Sequence, residues 1–407
     1  MERGYGEHFA KLKMRVLERL DCSEEIGDET VYAWIDEAIM EYGMEVYLSL
    51  SFKLRLRQEL FNSLRKLDIL QELVDCAGVT EIMINGKDHI FIEENGRIRR
   101  WEKTFESTEK LGDVVQQIVG RTNRMVNESQ PIVDTRLENG SRVNVVLPPV
   151  ALNGPIVTIR RFPEQAIQMK DLIDFGSLDE ETAKFLHQLV RAKYNIFISG
   201  GTGSGKTTFL NVLSNYIPAD ERIITIEDSA ELQIKNVPNL VRLETRNANS
   251  EGRNAITIRD LIKSALRMRP DRIVVGEVRG GEALDMMACF NSGHDGSLST
   301  GHANSSKDML LRLEMMILMG MELPLAAVRR QIASGLDIIV HLGRLRDKSR
   351  KVLEIVEILD YVDGEIMTHP LYRFEEEWEE NGRIIGALKQ CGELVHKDKL
   401  QQQGVCQ

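Results

Sequence analysis

The stretch YNIFISGGTGSGKTT, residues 194–208, joins an apolar run to a glycine-rich turn and then to the helical pattern TTFLNVLSNYI. The turn has the spacing G-x-x-x-x-G-K-[ST], with Gly200, Gly205, Lys206 and Thr207 at the specified positions. A strand before this turn and a helix after it form the context in which the motif binds phosphate. The curled backbone and the helix N-terminus then point successive amides at an anion. The stretch therefore predicts an α/β domain that binds a nucleoside triphosphate.

The residues of the turn have expected parts in holding ATP and Mg²⁺. Backbone amides face the β-phosphate, the Lys206 ammonium spans the β- and γ-phosphates, and the Thr207 hydroxyl ligates the metal ion. The alternative is a glycine-rich turn in an αβ unit that binds no nucleotide, and the flanking strand and helix count against it. The predicted nucleotide-binding residues are Gly200, Gly201, Thr202, Gly203, Ser204, Gly205, Lys206, Thr207 and Thr208.

Strands and helices alternate along the chain after residue 182. This alternation predicts a doubly wound, mostly parallel sheet with helices on both faces. Ligands of such sheets bind at the carboxyl ends of the strands. The predicted helices are 182–193, 206–216, 257–268, 280–292 and 306–319, and the predicted strands are 194–199, 222–227, 272–276 and 297–300.

Two regions of different texture precede this domain. The first is rich in Leu, Met, Glu, Lys and Arg at helical spacing, which predicts three or four amphipathic helices. The second has short alternating runs separated by Asn-Gly pairs, which predicts hairpins of a smaller α+β domain. The predicted segments are a helical N-terminal extension at 1–73, the α+β domain at 76–163, a linker at 164–182, the α/β domain at 183–374 and a charged tail at 375–407.

The composition restricts the class of protein. With 42% hydrophobic and 28% charged residues, the 407-residue chain is typical of a soluble globular protein. Its net charge of −11 argues against a nucleic-acid partner, because phosphate binding needs a basic surface. Five cysteines without C-x-x-C spacing fit a reducing compartment and predict no zinc site. No window approaches the ~18 apolar residues of a membrane span, so we expect a cytoplasmic protein that reaches a membrane only through partners.

Polar side chains end three of the predicted strands, at the edge that should hold the phosphate loop. Hydrolysis of a γ-phosphate needs a group to orient water, a metal ion and cations on the developing charge. Taken singly, each acid could cap a turn or start a helix, and the histidine could be a satisfied loop residue. Their joint placement favours chemistry. The residues are Glu227, Asp228 and Glu231 in ITIEDSAEL, Glu277 and Arg279 in VVGEVRG, and His302 in STGHANS.

Gly276 stands where nucleotide hydrolases with a phosphate loop often have a metal-binding aspartate. The acidic cluster Glu227, Asp228 and Glu231 follows a different strand. The glycine therefore suggests that one carboxylate orients water while others hold the metal ion. Glu277 is expected to orient the attacking water, and His302 to hydrogen-bond the γ-phosphate or the carboxylates. The expected metal ligands are Thr207, Glu227 and Asp228, and the expected catalytic residues of this domain are Glu277, Glu231, His302 and Arg279.

The segments GGTGSGKTT, ITIEDSAEL, VVGEVRG and STGHANS resemble, in that order, four nucleotide-site boxes of the type II/type IV secretion ATPase superfamily. In that family they are the Walker A, aspartate, Walker B and histidine boxes, and its Walker B box ends in Gly-Glu. The resemblance covers residues 76–365 and implies a RecA-like P-loop fold for the α/β domain. The helical extension is similar to that of the tight-adherence (Flp-type) pilus assembly branch.

The resemblance also implies an assembly and a function. Members are homohexameric ATPase rings in which nucleotide lies between the N- and C-terminal domains and arginines reach the phosphates. Arg142 and Arg160 match those arginines, with Arg136 and Arg161 as near alternatives, and Arg279 matches another. The implied function is an ATP-hydrolysing motor for pilus assembly or protein secretion. Its partners would be polytopic platform proteins that hold it at the inner face of the cell membrane.

Two other functions stay open at this stage. A RecA-like nucleic-acid motor shares the phosphate loop and the sheet, although the acidic balance counts against it. A nucleotide-dependent switch with little turnover shares the binding motif but needs no residue to orient water. Replacement of Glu277 separates this switch from an ATPase, because only the ATPase would lose turnover.

Overall fold

The computed structural model describes residues 5–19, 26–94, 96–122, 124–161, 167–246, 248 and 253–404. Parts of the predicted extension, linker and tail, at 1–4, 20–25, 164–166 and 405–407, lie outside these described residues. The chain forms two compact units, Met1–Gln165 and Ala166–Gln407. Within the described ranges, no helix combines the length and the apolar content needed to cross a membrane.

The first unit begins with helices that pack around a small apolar core. Leu12, Ile35 and Leu60 lie in this core with no exposed surface. Ser49 ends the preceding loop by capping a helix, since its hydroxyl accepts a hydrogen bond from the amide of Phe52. The helices are α1 (Tyr5–Leu17), α2 (Asp28–Glu45), α3 (Leu50–Arg65) and α4 (Leu70–Asp75).

A six-stranded antiparallel sheet follows in the same unit, with the strand order β3-β2-β1-β6-β5-β4. One helix, capped by Ser107, packs its apolar side against the sheet, and Val115 and Ile82 are fully buried in this core. The elements are β1 (Val79–Asn85), β2 (Ile90–Glu94), β3 (Arg97–Arg100), α5 (Thr108–Gly120), β4 (Ile132–Arg136), β5 (Arg142–Val146) and β6 (Ile156–Arg160). The predicted α+β character of this region is therefore confirmed.

The second unit contains a nine-stranded sheet with the order β15-β14-β13-β12-β7-β11-β10-β8-β9. From β12 to β9 all neighbours are parallel, as the alternation of strands and helices predicts. The strands inside the parallel part are buried because both sheet faces are covered, whereas β9 at the edge is partly exposed. The strands are β7 (Ile196–Gly200), β8 (Ile223–Glu227), β9 (Leu240–Glu244), β10 (Arg272–Val275), β11 (Leu298–Gly301) and β12 (Ile338–Arg344).

Two apolar cores cover the faces of this sheet. The described part of the predicted linker belongs to one of them, because Met169, Leu172 and Leu178 are buried there. The segment is thus a structural part of the second unit. The helices are α6 (Met169–Asp174), α7 (Glu180–Arg191), α8 (Lys206–Ser214), α9 (Ile258–Ala265), α10 (Ala283–Phe290), α11 (Ser306–Gly320), α12 (Leu325–Gly335) and α13 (Asp398–Gln402).

Three long antiparallel strands extend the sheet beyond β12. They are β13 (Arg350–Val362), β14 (Glu365–Glu380) and β15 (Arg383–Gln390). The boundary predicted between residues 374 and 375 falls inside β14, so the first part of the predicted tail is the edge of the sheet. The glutamates of β14 obscured this strand in the sequence, because most of its second half is exposed although β13 and β15 pair with it on both sides.

The rest of the tail is fastened to the same unit. The buried carboxylate of Glu357 accepts hydrogen bonds from the amides of Val395 (2.8 Å) and His396 (2.7 Å). The Lys399 ammonium donates to Asp337 at 2.7 Å, and Leu394 is buried in the core. These contacts hold the tail against the amino ends of the parallel strands. This end of the sheet lies opposite the phosphate loop.

Candidate nucleotide site

The phosphate loop connects β7, which ends at Gly200, to α8, which begins at Lys206. Gly205 is the N-cap residue of this helix and has a φ of 94°, in the left-handed region that favours glycine. It has no side chain to bond the first amides of the helix, and those amides have no acceptor within the helix. The loop therefore leaves amides for an anion, which fits the phosphates of a nucleotide.

Lys206 is held at the centre of the site. Its side chain is largely buried, and the ammonium donates to the Gly201 carbonyl at 3.0 Å. Burial lowers the pKa of this ammonium, while the charge of Glu277 acts in the opposite direction. The ammonium also lies 3.3 Å from Nδ1 of His302. The lysine thus holds its ammonium group between the phosphate loop and the residues that end the neighbouring strands.

Glu277 lies two residues beyond β10 and has a nitrogen-bearing side chain close to each of its oxygens. Oε1 lies 2.8 Å from Nε2 of His302, and Oε2 accepts a hydrogen bond of 2.8 Å from Arg279. Burial lowers the pKa of His302, so the imidazole is favoured in its neutral form although it faces a carboxylate. Lys206, His302, Glu277 and Arg279 form one continuous polar chain, and the structure brings these four predicted residues together.

Glu227 ends β8 and is almost completely buried. Its Oε2 accepts hydrogen bonds from the amides of Glu231 (2.7 Å) and Leu232 (3.0 Å), so it caps the turn that follows the strand. Burial raises the pKa of this carboxyl. Turn capping was the simpler of the two roles open from the sequence. Oε1 has no hydrogen-bond partner among the described residues, so one oxygen is left for its predicted role at the metal ion.

The unusual glycine at position 276 has a steric explanation. A Cβ atom at Gly276 would lie 3.0 Å from Cγ of Glu227 and 3.6 Å from its Cβ. Carbon atoms pack best at about 3.5–4.0 Å, so any side chain here would press on the buried glutamate. Glycine at the end of β10 therefore makes room for the acid at the end of β8.

Asp228 is the more accessible acid of the cluster. Its Oδ2 lies 3.9 Å from Nη1 of Arg279, and the Thr245 hydroxyl donates to its main-chain oxygen at 3.1 Å. Within the described parts of the chain, no group of three or more His, Cys, Asp or Glu side chains could hold a metal ion. Mg²⁺ bound to nucleotide needs only one or two protein ligands beside phosphate oxygens and water. The assignment of Thr207, Glu227 and Asp228 to the metal stays a prediction.

The predicted arginines of the first unit share a row across its sheet. Arg142 on β5 is directly opposite both Arg136 on β4 and Arg160 on β6, so the three side chains lie on one face. The next residue in the row, on β1, is Glu81. Arg161 lies outside this row, since its guanidinium donates to the carbonyl of Val79 at 3.0 Å and to that of Cys76. Arg136 therefore remains an alternative, whereas Arg161 stabilises the backbone of its own unit.

Two residues at the phosphate loop were missed in the sequence. Arg350, the first residue of β13, donates from Nε to the Gly203 carbonyl at 2.8 Å. His341 on β12 lies 2.8 Å from the hydroxyl of Ser199, the residue just before the loop. Neither is part of a local motif. Both reach the loop through the pairing of distant strands, which a single sequence does not reveal.

Comparison with known proteins shows the family and the fold. Residues 63–385 match the family model described as type II/IV secretion system protein. The chain is 34% identical over 304 residues to a putative conjugal transfer protein of Mycobacterium tuberculosis, covering 73% of this chain and 86% of that protein. It is 32% identical over 316 residues to the type IV secretion system protein VirB11 of Brucella suis, covering 68% and 84% of the two chains. Its fold is similar to that of the ATPase DotB of Legionella pneumophila, with a TM-score of 0.52, 20% identity and coverage of 71% and 79%.

Proposed function

This chain belongs to the family of type II/IV secretion system proteins, and from that premise we propose that it is an ATPase that drives a secretion or pilus-assembly machine. The observation that best supports hydrolysis is the polar chain from the phosphate loop to a carboxylate. Lys206 lies 3.3 Å from one nitrogen of His302, and the other nitrogen lies 2.8 Å from Glu277. A protein that only binds nucleotide needs the lysine but not this connection.

The proposed reaction is ATP + H₂O → ADP + phosphate. The Lys206 ammonium exchanges the Gly201 carbonyl for β- and γ-phosphate oxygens as ATP enters. Glu277 accepts a hydrogen bond from the attacking water and orients it, using lone pairs that His302 and Arg279 leave open. Thr207 and the acids at the end of β8 would hold Mg²⁺, which would spread the negative charge of the phosphates.

His302 has a linking role in this proposal. Nε2 of its neutral ring lies 2.8 Å from Oε1 of Glu277, and Nδ1 lies 3.3 Å from the ammonium of Lys206. Arrival or loss of a γ-phosphate beside Lys206 therefore changes the partner of Nδ1. The movement of the ring then changes the position of Glu277. The acid Glu231, whose amide bonds Glu227, is proposed to assist at the same edge of the sheet.

We propose Arg142 and Arg160 as phosphate-contacting residues of the first unit. Arg142 and Arg160 are directly opposite each other on one face of the sheet, so a phosphate beside them would pair with both guanidinium groups. The side chain of Arg160 is exposed, so its replacement should affect phosphate binding more than folding.

The proposed assembly is a homohexameric ring bound to polytopic platform proteins at the inner face of the cell membrane. The conjugal transfer and type IV secretion relatives support an export machine in general, and a pilus of the tight-adherence type is the finer proposal. Mass measurement with and without nucleotide tests the ring. A strict monomer that hydrolyses ATP at full rate under both conditions would contradict it.

The test of the proposed function is ATP binding and steady-state turnover by the purified chain and two lysine variants. Lys206→Ala should abolish measurable turnover, since the ammonium that meets the β- and γ-phosphates is gone. Lys184→Ala removes an exposed lysine 4.0 Å from Glu180 on α7 and serves as the matched control with parental turnover. Equal turnover of Lys206→Ala and the parent would exclude this site as the source of hydrolysis.

A further inference from the structure

Thr300 is a buried polar residue near the end of β11. Only 1% of its surface is exposed, and it lies two residues before His302. Most buried hydroxyl groups have a hydrogen-bond partner, so the presence of a partner says nothing by itself about function. The same sheet contains another buried threonine, Thr225 on β8, whose hydroxyl has no partner among the described residues. The two threonines differ in the backbone groups that Thr300 contacts.

The two oxygen atoms of Thr300 hold the peptide groups on either side of Glu277. The hydroxyl donates to the Gly276 carbonyl at 2.7 Å, and the Thr300 carbonyl accepts a hydrogen bond of 3.0 Å from the amide of Val278. A peptide group is planar, so holding its carbonyl or its amide fixes the orientation of the whole group. Because both neighbouring groups are held, the backbone of Glu277 has little freedom to rotate.

Gly276 gives the hydroxyl contact its importance. Glycine has no Cβ and can adopt more backbone conformations than other residues, so it needs contacts that hold it. The regular pairing of β10 with β11 ends at Val275 and Ser299, immediately before Gly276 and Thr300. On its other side, Gly276 donates from its amide to the Ile226 carbonyl at 2.8 Å. The Thr300 hydroxyl therefore holds the side of Gly276 that faces β11.

The same segment reaches Glu277 a second time, through His302. Nε2 of His302 lies 2.8 Å from Oε1 of Glu277. Between the two residues, the backbone at Gly301 packs closely against Phe197, since a Cβ atom at Gly301 would lie 3.0 Å from two carbons of that ring. One short segment thus holds the main chain of Glu277 through Thr300 and faces its carboxylate through His302.

We propose that Thr300 is a positioning residue for ATP hydrolysis, which holds Glu277 in the orientation that the attacking water requires. The proposal rests on the proposed ATPase function. Thr300 touches no reacting atom; it acts through the backbone on either side of Glu277. Misplacement of a catalytic group by about 1 Å can cost about 10²-fold in rate, so the loss of one of the two contacts should have a measurable effect.

The test compares two replacements of Thr300 with a matched replacement of Thr225. Thr300→Val keeps the branched shape and removes only the hydroxyl. It should lower kcat by about 10-fold and change the Kd for ATP little, because the phosphate loop is intact. Thr300→Ser keeps the hydroxyl and should recover most of the loss. Thr225→Val makes the same chemical change where the hydroxyl has no partner among the described residues, and it should keep the parental kcat.

A purely structural threonine would give a different result. Thr300→Val would then unfold at a lower urea concentration but keep the parental kcat, and this outcome would overturn the proposal. Because Thr300 acts through Glu277, Thr300→Val should cause no further loss of rate in single turnovers when it is combined with Glu277→Gln. The same loss in both backgrounds would contradict the proposal. If Thr300→Val does not fold, Thr300→Ala removes the same hydroxyl, and parental kcat in that variant would overturn the proposal.

A second readout separates this inference from the proposed function, because it needs no ATP. Burial lowers the pKa of the His302 ring, and the carboxylate of Glu277 raises it. Displacement of that carboxylate in Thr300→Val should therefore lower the His302 pKa measured by NMR, whereas Thr225→Val should leave it at the parental value. If the parental chain hydrolyses no ATP, the proposed function fails, while an unchanged His302 pKa in Thr300→Val would refute the positioning role itself.

Discussion

Replacing Gly276 with alanine places a methyl group against the buried side chain of Glu227. The new carbon would lie 3.0 Å from Cγ of Glu227 and 3.6 Å from its Cβ, closer than the optimum of about 3.5–4.0 Å for the first contact. Glu227 has little freedom to withdraw, because its Oε2 holds the amides of Glu231 at 2.7 Å and Leu232 at 3.0 Å. Either the close contact therefore remains, or Glu227 shifts and its hydrogen bonds to the two amides weaken.

Either response destabilises the protein by about 1–3 kcal/mol, the usual cost of overpacking a core. Loss of the two amide bonds would cost a similar amount or more, since a hydrogen bond to a charged group contributes about 1.5–3 kcal/mol. Urea denaturation followed by circular dichroism measures the change in the free energy of unfolding. We expect turnover to fall as well, because Glu277 is the next residue.

Gly112→Ala is the matched control. Position 112 lies in α5 and has nothing within 4 Å of the added carbon, so this change should be neutral or stabilising by up to about 1 kcal/mol. A loss below about 0.5 kcal/mol for Gly276→Ala, within the range of ordinary surface substitutions, would refute the steric reason for the glycine.

Three further outcomes follow from other parts of the chain. Arg160→Gln should lower turnover with little loss of stability, whereas Arg161→Gln should lower stability because it removes the bonds to the Val79 and Cys76 carbonyls; the reverse pattern in paired turnover and urea measurements would contradict the assignment. Glu357→Ala should reduce the free energy of unfolding by about 3 kcal/mol, since two tail amides lose a charged acceptor, and an unchanged urea midpoint would show that the tail is not held there. Burial holds the pKa of His302 below its ordinary 6.5, so the unfolded chain binds this proton more readily and stability should fall as the pH drops below 6.5; His302→Gln should flatten that part of the pH dependence, and an identical profile would count against it.

Much of the second unit could be predicted because its signals are local. The phosphate loop, its strand and its helix lie within one short stretch, and α8 begins at Lys206 as predicted. The order of polar strand ends also predicts their meeting, since parallel strands share an edge. The RecA-like α/β class is confirmed, and so is the family.

The features that were missed depend on contacts between distant parts of the chain. Arg350 and His341 reach the loop through β13 and β12, more than a hundred residues after it. The boundary at 374 fell inside β14 because pairing with β13 and β15 holds that acidic strand in place. The capping role of Glu227 was one of two open roles; its burial and its two amide partners establish that role, while its role at the metal ion stays a prediction.

A single-turnover experiment on Glu277→Gln tests the central claim most directly. ATP is bound to excess protein with Mg²⁺, and the intact nucleotide is followed by chemical quench in the parent, in Glu277→Gln and in the exposed control Glu322→Gln. The account predicts that Glu277→Gln binds ATP like the parent but hydrolyses it at least about 10²-fold more slowly, the usual scale for removing a group that positions water, while Glu322→Gln matches the parent. Hydrolysis by Glu277→Gln at the parental rate would contradict the account.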